Sequence, residues 1–293
     1  PNIRPSLARL IRSEDSLRKA EEELRTLDER ASAGELITPL FYGEEGYPEY
    51  LLNCADAPLV LYVKGTLPTD GPMIAIVGTR RCTTYATDVI ERMVKRWAEL
   101  RPDLIIVSGL AYGVDALAHR AALRHGLRSV GVVAHGHHTI YPSRHRDLAS
   151  EMIHSGGGIV TEYPFYTKSF PQHFVLRNRI VAGISRGTVV VESARRGGAL
   201  ITAGLALDYG RSVFAVPGRI FDSTSEGCNW LLASERAACL TDPDFLLEEL
   251  SLLSDRSGVQ RLPFSSETEQ GEEDPILSEL REAGPLTLID LTL

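Results

Sequence analysis

Cysteine, methionine and tryptophan are scarce in this chain, at four, three and two of its 293 residues. The four cysteines (Cys54, Cys82, Cys228, Cys239) stand too far apart for a CxxC or a zinc-ligand spacing. That scarcity excludes a disulfide framework and predicts buried, reduced thiols and no metal centre. No apolar run approaches the roughly 18 residues that a membrane span requires, and no signal-peptide pattern opens the chain. A soluble cytoplasmic protein without membrane contact is expected. The first residue is Pro1 rather than methionine, so an N-terminal stretch is expected to precede it. The GxxxxGK[ST] string of P-loop nucleotidases is missing, which argues against ATP hydrolysis of that kind. The dinucleotide fingerprint GxGxxG is missing too: the turn that would carry it reads Gly78-Thr79-Arg80-Arg81-Cys82-Thr83. No cofactor is expected.

Charge is abundant but unevenly placed. The chain holds 31 Lys and Arg against 39 Asp and Glu, a formal net charge of −8. Residues 74–219 hold 19 Lys and Arg against 10 Asp and Glu, a surplus of +9, and all eight histidines as well. The remainder carries −17. Binding responds to local potential rather than to total charge, so a basic middle between acidic ends points to an anionic ligand for the middle. Acidic ends that aid solubility and arginines that merely decorate helices are the alternative.

The hydrophobic pattern divides the chain. Leu7, Leu10, Ile11, Leu17 and Leu24 recur at roughly helical spacing within residues 1–30. Residues 47–65 read as a helix-like piece, a turn at Asp56–Pro58 and a β-rich run ending at Gly65. From residue 74 short apolar runs (74–77, 104–107, 130–133, 159–160, 188–191, 213–216) alternate with glycine-bearing turns and helical stretches. Wholly apolar strands alternating with helices predict an α/β fold, a Rossmann-like doubly wound and mostly parallel sheet covered on both faces. Ligands of such sheets sit at the carboxyl ends of the strands. Expected divisions are a small helical N-terminal region with lead-in at 1–66, the Rossmann-like domain at 67–253, an acidic linker at 254–273, and the start of a further domain at 274–293.

Two turns carry the chemistry. After the first core strand, Gly78 permits a tight exit, Arg80 and Arg81 sit in the turn, and the following helix is expected to offer unpaired N–H groups to an anion. After the strand at 188–191, Glu192 is followed by Arg195, Arg196, Gly197 and Gly198, a second backbone nest at a helix start. Between them, Gly109 and Gly113 bracket a loop. Asp115 is placed to cap the next helix, and His119 lies one turn on as a possible partner. His135, His137 and His138 read as loop histidines lining an anionic site in preference to metal ligands.

Taken together, YPEYLLNCADAPLVLYVKG, IAIVGTRR, VSGLAYGVDALAH, IYPSRHRDLASEM, FVLRNRIVAGISRG, VVVESARRGGALITAGLALDYGRSVFAVPG and EGCNWLL, in unbroken order over about residues 47–250, resemble the DNA-processing protein A family, also called Smf. The resemblance implies an extended Rossmann fold that binds single-stranded DNA, forms a homodimer and loads the RecA recombinase onto incoming DNA in natural transformation. It also implies a C-terminal winged helix, of which 274–293 would be the truncated start. Carried over position by position, it assigns the DNA contacts to Gly78, Thr79, Arg80, Ser108, Gly109, Gly113, Arg144, Lys168, Phe174, Arg177, Asn178, Arg179, Gly197, Gly198 and Ala199. Site support falls to Asp115, His119, Glu192, Pro217, Gly218 and Asn229. Phe174 is the expected base-stacking aromatic. The chain departs from the family where it has Ser143 after the Tyr-Pro pair, Pro171 where relatives carry lysine, and Gly197-Gly198-Ala199 in place of hydroxyl-bearing residues. A nucleotide phosphoribohydrolase resembling the LOG proteins is the enzymatic alternative, but RRGGALITA lacks that group's PGGxGTxxE pattern. A nucleotide sensor is the other alternative.

Overall fold

A computed structural model describes residues 13–253. The expected linker at 254–273 and winged-helix start at 274–293 lie outside the described residues. The described residues begin with α1 (Glu14–Ser32), whose N-cap Ser13 accepts from the Ser16 N–H. Next come β1 (Ile37–Phe41), the short α2 (Glu49–Leu52) and β2 (Val60–Gly65). The doubly wound part follows: β3 (Met73–Val77), α3 (Thr84–Leu100), β4 (Ile105–Ser108), α4 (Val114–Arg124), β5 (Arg128–Val132), α5 (Arg146–His154), β6 (Gly158–Thr161), α6 (Pro171–Ile184), β7 (Gly187–Val190), α7 (Gly198–Asp208) and β8 (Ser212–Ala215). It closes with α8 (Glu226–Ala233), the two-residue β9 (Ala238–Cys239) and α9 (Pro243–Glu249).

The nine strands of the described residues form one sheet in the order β1-β2-β6-β5-β4-β3-β7-β8-β9. From β6 to β9 every pairing is parallel, and β1 and β2 add an antiparallel hairpin at the β6 edge. α2 and β2 answer the helix-like piece and the β-rich run expected within 47–65, whereas β1 lies in a stretch the sequence pattern left without a strand. β1 escaped notice because its only full burial is at Ile37 and because Pro39 interrupts it. A proline is tolerated there because β1 is an edge strand.

Period-two alternation sends each core strand's side chains to two packed faces. Ala75, Val77, Val107, Val132 and Val190 pack under α6 and α7. Ile74, Ile76, Ile106 and Val189 pack under α3 and α4, around the fully buried Trp97. The Trp97 indole N–H donates to the Pro243 carbonyl at 2.8 Å, and Arg96 makes two hydrogen bonds to Asp244, so α9 is latched along α3. The thiol expectation holds for Cys54 and Cys228, which are buried; Cys82 is half-buried and Cys239 exposed.

The histidines are structural, which corrects their reading as anion ligands. His119 is fully buried and its Nδ1 lies 2.7 Å from the Ser129 hydroxyl, not beside Asp115. His137 donates through Nε2 to the Tyr62 carbonyl, and His138 through Nδ1 to the Phe165 carbonyl. His135 bridges the Gly136 carbonyl and the Tyr141 N–H. A buried imidazole holding a neutral partner is favoured uncharged. Burial pushes His119 down to about 3 and His137 down to about 4, each from an ordinary value of 6.5.

Because these folded-state values lie below the unfolded one, the unfolded chain takes up protons first as the pH falls. The contribution is complete above about pH 6.5 and lost towards the folded values, at up to about 1.4 kcal/mol per pH unit for each histidine. Urea midpoints should therefore fall between neutral pH and about pH 4.5. His119→Asn, which keeps a hydrogen-bonding amide, should flatten that slope; an unchanged slope would remove His119 as its source.

Candidate nucleic-acid interface

The strand order reverses around β3, which continues to β4 on one side and has β7 on the other. Loops leaving the carboxyl ends of β3 and β7 diverge at such a point and open a crevice. Here the crevice is a cleft of ≈ 610 Å³. Gly78, Thr79 and Arg80 line it from β3, Gly109, Ala111 and Asp115 from β4 and α4, and Ser193 to Ala199 in part from β7 and α7. Ser169, Phe174, Arg177 and Asn178 close it from the α6 side, with Tyr141 at the rim.

Its floor is ionic. Arg177 reaches from the second turn of α6 across the sheet edge to donate to the Val132 carbonyl. Its side chain lies so close to Gly109 that a Cβ there would sit 2.1 Å from a guanidinium nitrogen. Only glycine fits. Arg177 is 4% exposed, and burial presses its pKa down while the charge of Asp115 supports it. Asp115 in turn is raised by burial and held down chiefly by Arg177, then by the Ala111 N–H, which donates to its Oδ2 at 3.2 Å. Asp115 is thus not the cap of α4. That place belongs to Gly113, whose φ of 74° and contact with the Thr79–Arg80 turn exclude a side chain. The aspartate, one residue into the helix, folds back on the loop instead.

The two glycine turns differ from each other. At the first, the helix N-terminus is already filled, contrary to expectation. Thr83 caps α3, and Glu192 accepts from both the Thr83 N–H (2.9 Å) and its hydroxyl. The Thr79 N–H donates to the Glu192 carbonyl. This turn leaves Arg80 and Arg81 exposed; Arg80 lines the cleft, with its guanidinium carbon 5.5 Å from the centre of the Phe174 ring. At the second turn α7 begins after Gly197 with no side-chain cap, so its first N–H groups face the cleft as donors. A Cβ on Gly197 would strike the Ser193 hydroxyl at 2.2 Å, whereas one on Gly198 would meet nothing within 4 Å.

The structure brings together most of the expected residues and separates others. Ser108 is buried and donates to the Ile76 carbonyl, so it supports the sheet. Arg179 turns away to Glu162, and Arg144 and Lys168 are exposed without lining the cleft. Arg195 and Arg196 line a groove beyond α7 in place of the cleft. Asn229 holds both the N–H and the carbonyl of Gly218, while Tyr85 donates to the Pro217 carbonyl, so these residues shape a neighbouring loop. Tyr141 was missed as a site residue: its ring lies 5.7 Å from that of Phe174, edge to face. Its only sequence signal was the Tyr-Pro pair. The string Gly183-Ile184-Ser185-Arg186-Gly187 has the spacing of a nucleophile elbow, which also escaped the sequence reading. Ser185 is fully buried where a helix enters a strand, whereas an elbow needs an exposed strand-to-helix turn. Among the described residues no cluster of His, Cys, Asp and Glu is built to hold a metal, and no helix is long and apolar enough to cross a membrane.

Comparison with known proteins gives concordant results. The chain is 38% identical to Escherichia coli protein Smf over 230 residues, covering 76% of this chain and 58% of that one. It is 40% identical to the Bacillus subtilis DNA processing protein DprA over 206 residues, covering 70% and 68%. The X-ray structure of Streptococcus pneumoniae DNA processing protein A superposes with a TM-score of 0.66 at 34% identity, over 76% of this chain and 78% of that one. Helicobacter pylori DNA processing protein A, whose structure concerns its single-stranded DNA binding mode, gives 0.65 at 26% identity, over 73% and 95%. The chain spans little more than half the length of the E. coli relative. The family model of DNA recombination-mediator protein A matches residues 38–251, and the chain belongs to that family.

Proposed function

We propose that the cleft at the β3–β7 switch point binds single-stranded DNA and that the chain acts as a recombination mediator without catalysing a reaction. The observation that carries this is the joining of three features in one ≈ 610 Å³ cleft: the exposed guanidinium of Arg80, the uncapped start of α7, and the Phe174–Tyr141 aromatic pair. The first two address phosphates, one as a guanidinium fork and one as backbone N–H groups. The aromatics address bases, and a ring inside a cleft reaches a base face only when that base is unstacked, which favours single strands over duplex. Asp115, the one carboxylate among the lining residues, is tied to the Ala111 N–H and to the charge of Arg177, which supports a holding role in place of an acid–base one. Delivery of the strand to a RecA-type recombinase, and action as a homodimer, belong to the same proposal and are supported by family membership alone.

Fluorescence anisotropy with labelled oligothymidine and a matching duplex, at two salt concentrations, tests the reading. The single strand should bind preferentially and weaken with salt. Arg80→Ala should lose roughly tenfold in affinity, as for one charge-assisted contact, and make the salt dependence shallower by about 0.7 in log–log slope. A well-folded protein that binds neither DNA would overturn the proposal.

Gly198→Ala gives a sharper check on the α7 turn. The added methyl meets no protein atom, so thermal stability should hold within about 1 kcal/mol while affinity for the single strand falls. Unchanged affinity would remove the start of α7 from the interface.

A further inference from the structure

Beyond the first turn of α7, on the side away from the cleft, lies a shallower groove of ≈ 270 Å³. Its charged lining is of one sign: Arg195, Arg196 and Arg236, with no carboxylate among the lining residues. Some arginines among the described residues are neutralised by a carboxylate, as Arg96 is by Asp244, Arg128 by Asp70 and Arg179 by Glu162. These three form no ion pair among the described residues. Two of them are nevertheless held in place, because the guanidinium carbons of Arg195 and Arg236 lie 3.9 and 5.3 Å from the centre of the Trp230 ring. A cation–π contact orients a guanidinium without cancelling its charge. Small residues keep the groove open, since a Cβ on Gly204 would meet nothing within 4 Å. The groove is also continuous with the cleft: Gly197 and Ile201 line both.

We propose that this groove carries the sugar-phosphate backbone of the same strand onward from the cleft, so that the nucleic-acid site is longer than the cleft and has two unlike parts. The inference rests on the single-strand reading of the cleft. Its own ground is the one-sign charge of the groove and its continuity with α7. The cleft offers rings for bases. The groove, with its tryptophan already covered by guanidinia, offers charge for phosphates. Contacts to phosphate position a strand without reading its sequence, so the second part is indifferent to base identity and matters only to strands long enough to cross α7.

The test compares an oligothymidine of about six nucleotides, enough for the cleft, with one of about twenty. The protein is the wild type or a variant carrying Arg195→Ala, Arg196→Ala and Arg236→Ala together, each checked by circular dichroism and thermal melting. The wild type should bind the long strand more tightly than the short one. In the variant that gain should disappear, with the log–log salt slope for the long strand shallower by about 2, at roughly 0.7 per phosphate, while short-strand affinity is retained. The triple replacement by lysine should restore the slope. Trp230 provides a second readout, because the only other tryptophan, Trp97, is fully buried: the long strand should change the tryptophan emission and the short one should not.

An unchanged long-strand affinity and slope in the variant would overturn the proposal and assign the groove to a protein surface, whether a second copy of the chain or another partner. An equal loss for short and long strands would overturn it too, by making the arginines part of the cleft. Failure of the wild type to bind either strand would sink the cleft reading itself, a result distinct from the other two.

Discussion

The geometry of the cleft depends on one buried guanidinium. Arg177 leaves α6, crosses above Gly109 and ends on the carbonyl of Val132, with Asp115 near enough to support its charge. Removing a charge from water is costly unless its hydrogen bonds and a counter-charge are supplied. Here the acceptor comes from β5 and the counter-charge from α4, while Nε finds no partner among the described residues, so Arg177 keeps its place only when both elements have closed around it. Phe174 and Asn178 ride on the same helix and are positioned by the same closure. A group with almost no exposure therefore sets where the exposed groups stand.

The two phosphate-type turns show how similar local sequence acquires different roles. Both combine glycine and arginine at the mouth of a parallel strand and precede a helix. In the first, Glu192 arrives from the far side of the switch point and holds the Thr83 cap of α3, so the turn is internally closed and leaves Arg80 and Arg81 outward, Arg80 of the two lining the cleft. In the second, no carboxylate arrives and the start of α7 stays open. Glu192 thus joins the two turns: its carbonyl and carboxylate hold the first, and its chain continues into the second.

Charge follows the same logic. The chain is net acidic, yet three arginines without an ion pair among the described residues, Arg195, Arg196 and Arg236, line one groove beside α7 with no carboxylate among them. Burial keeps His119 and His137 neutral at physiological pH, so these two add no charge. The proposed anion site therefore draws on a few guanidinium groups and backbone dipoles, not on the overall surplus of the basic middle.

The sequence by itself determined the doubly wound sheet and the turns that form its functional edge. A strand such as Met73–Val77 is wholly apolar because both faces are covered, and that pattern is legible without coordinates. β1 was not legible, because an edge strand with one fully buried residue and a proline carries no such pattern. Which arginine does what was decided only in three dimensions. Arg80, Arg177, Arg179 and Arg195 look alike in sequence, yet they end in the cleft mouth, the buried floor, an ion pair with Glu162 and a stack on Trp230. The same holds for His119, whose partner is Ser129 across a helix–strand junction and not Asp115 one turn away. Local sequence sets backbone conformation through apolar spacing and glycine, whereas the partner of a long polar side chain is chosen by whichever distant element packs beside it.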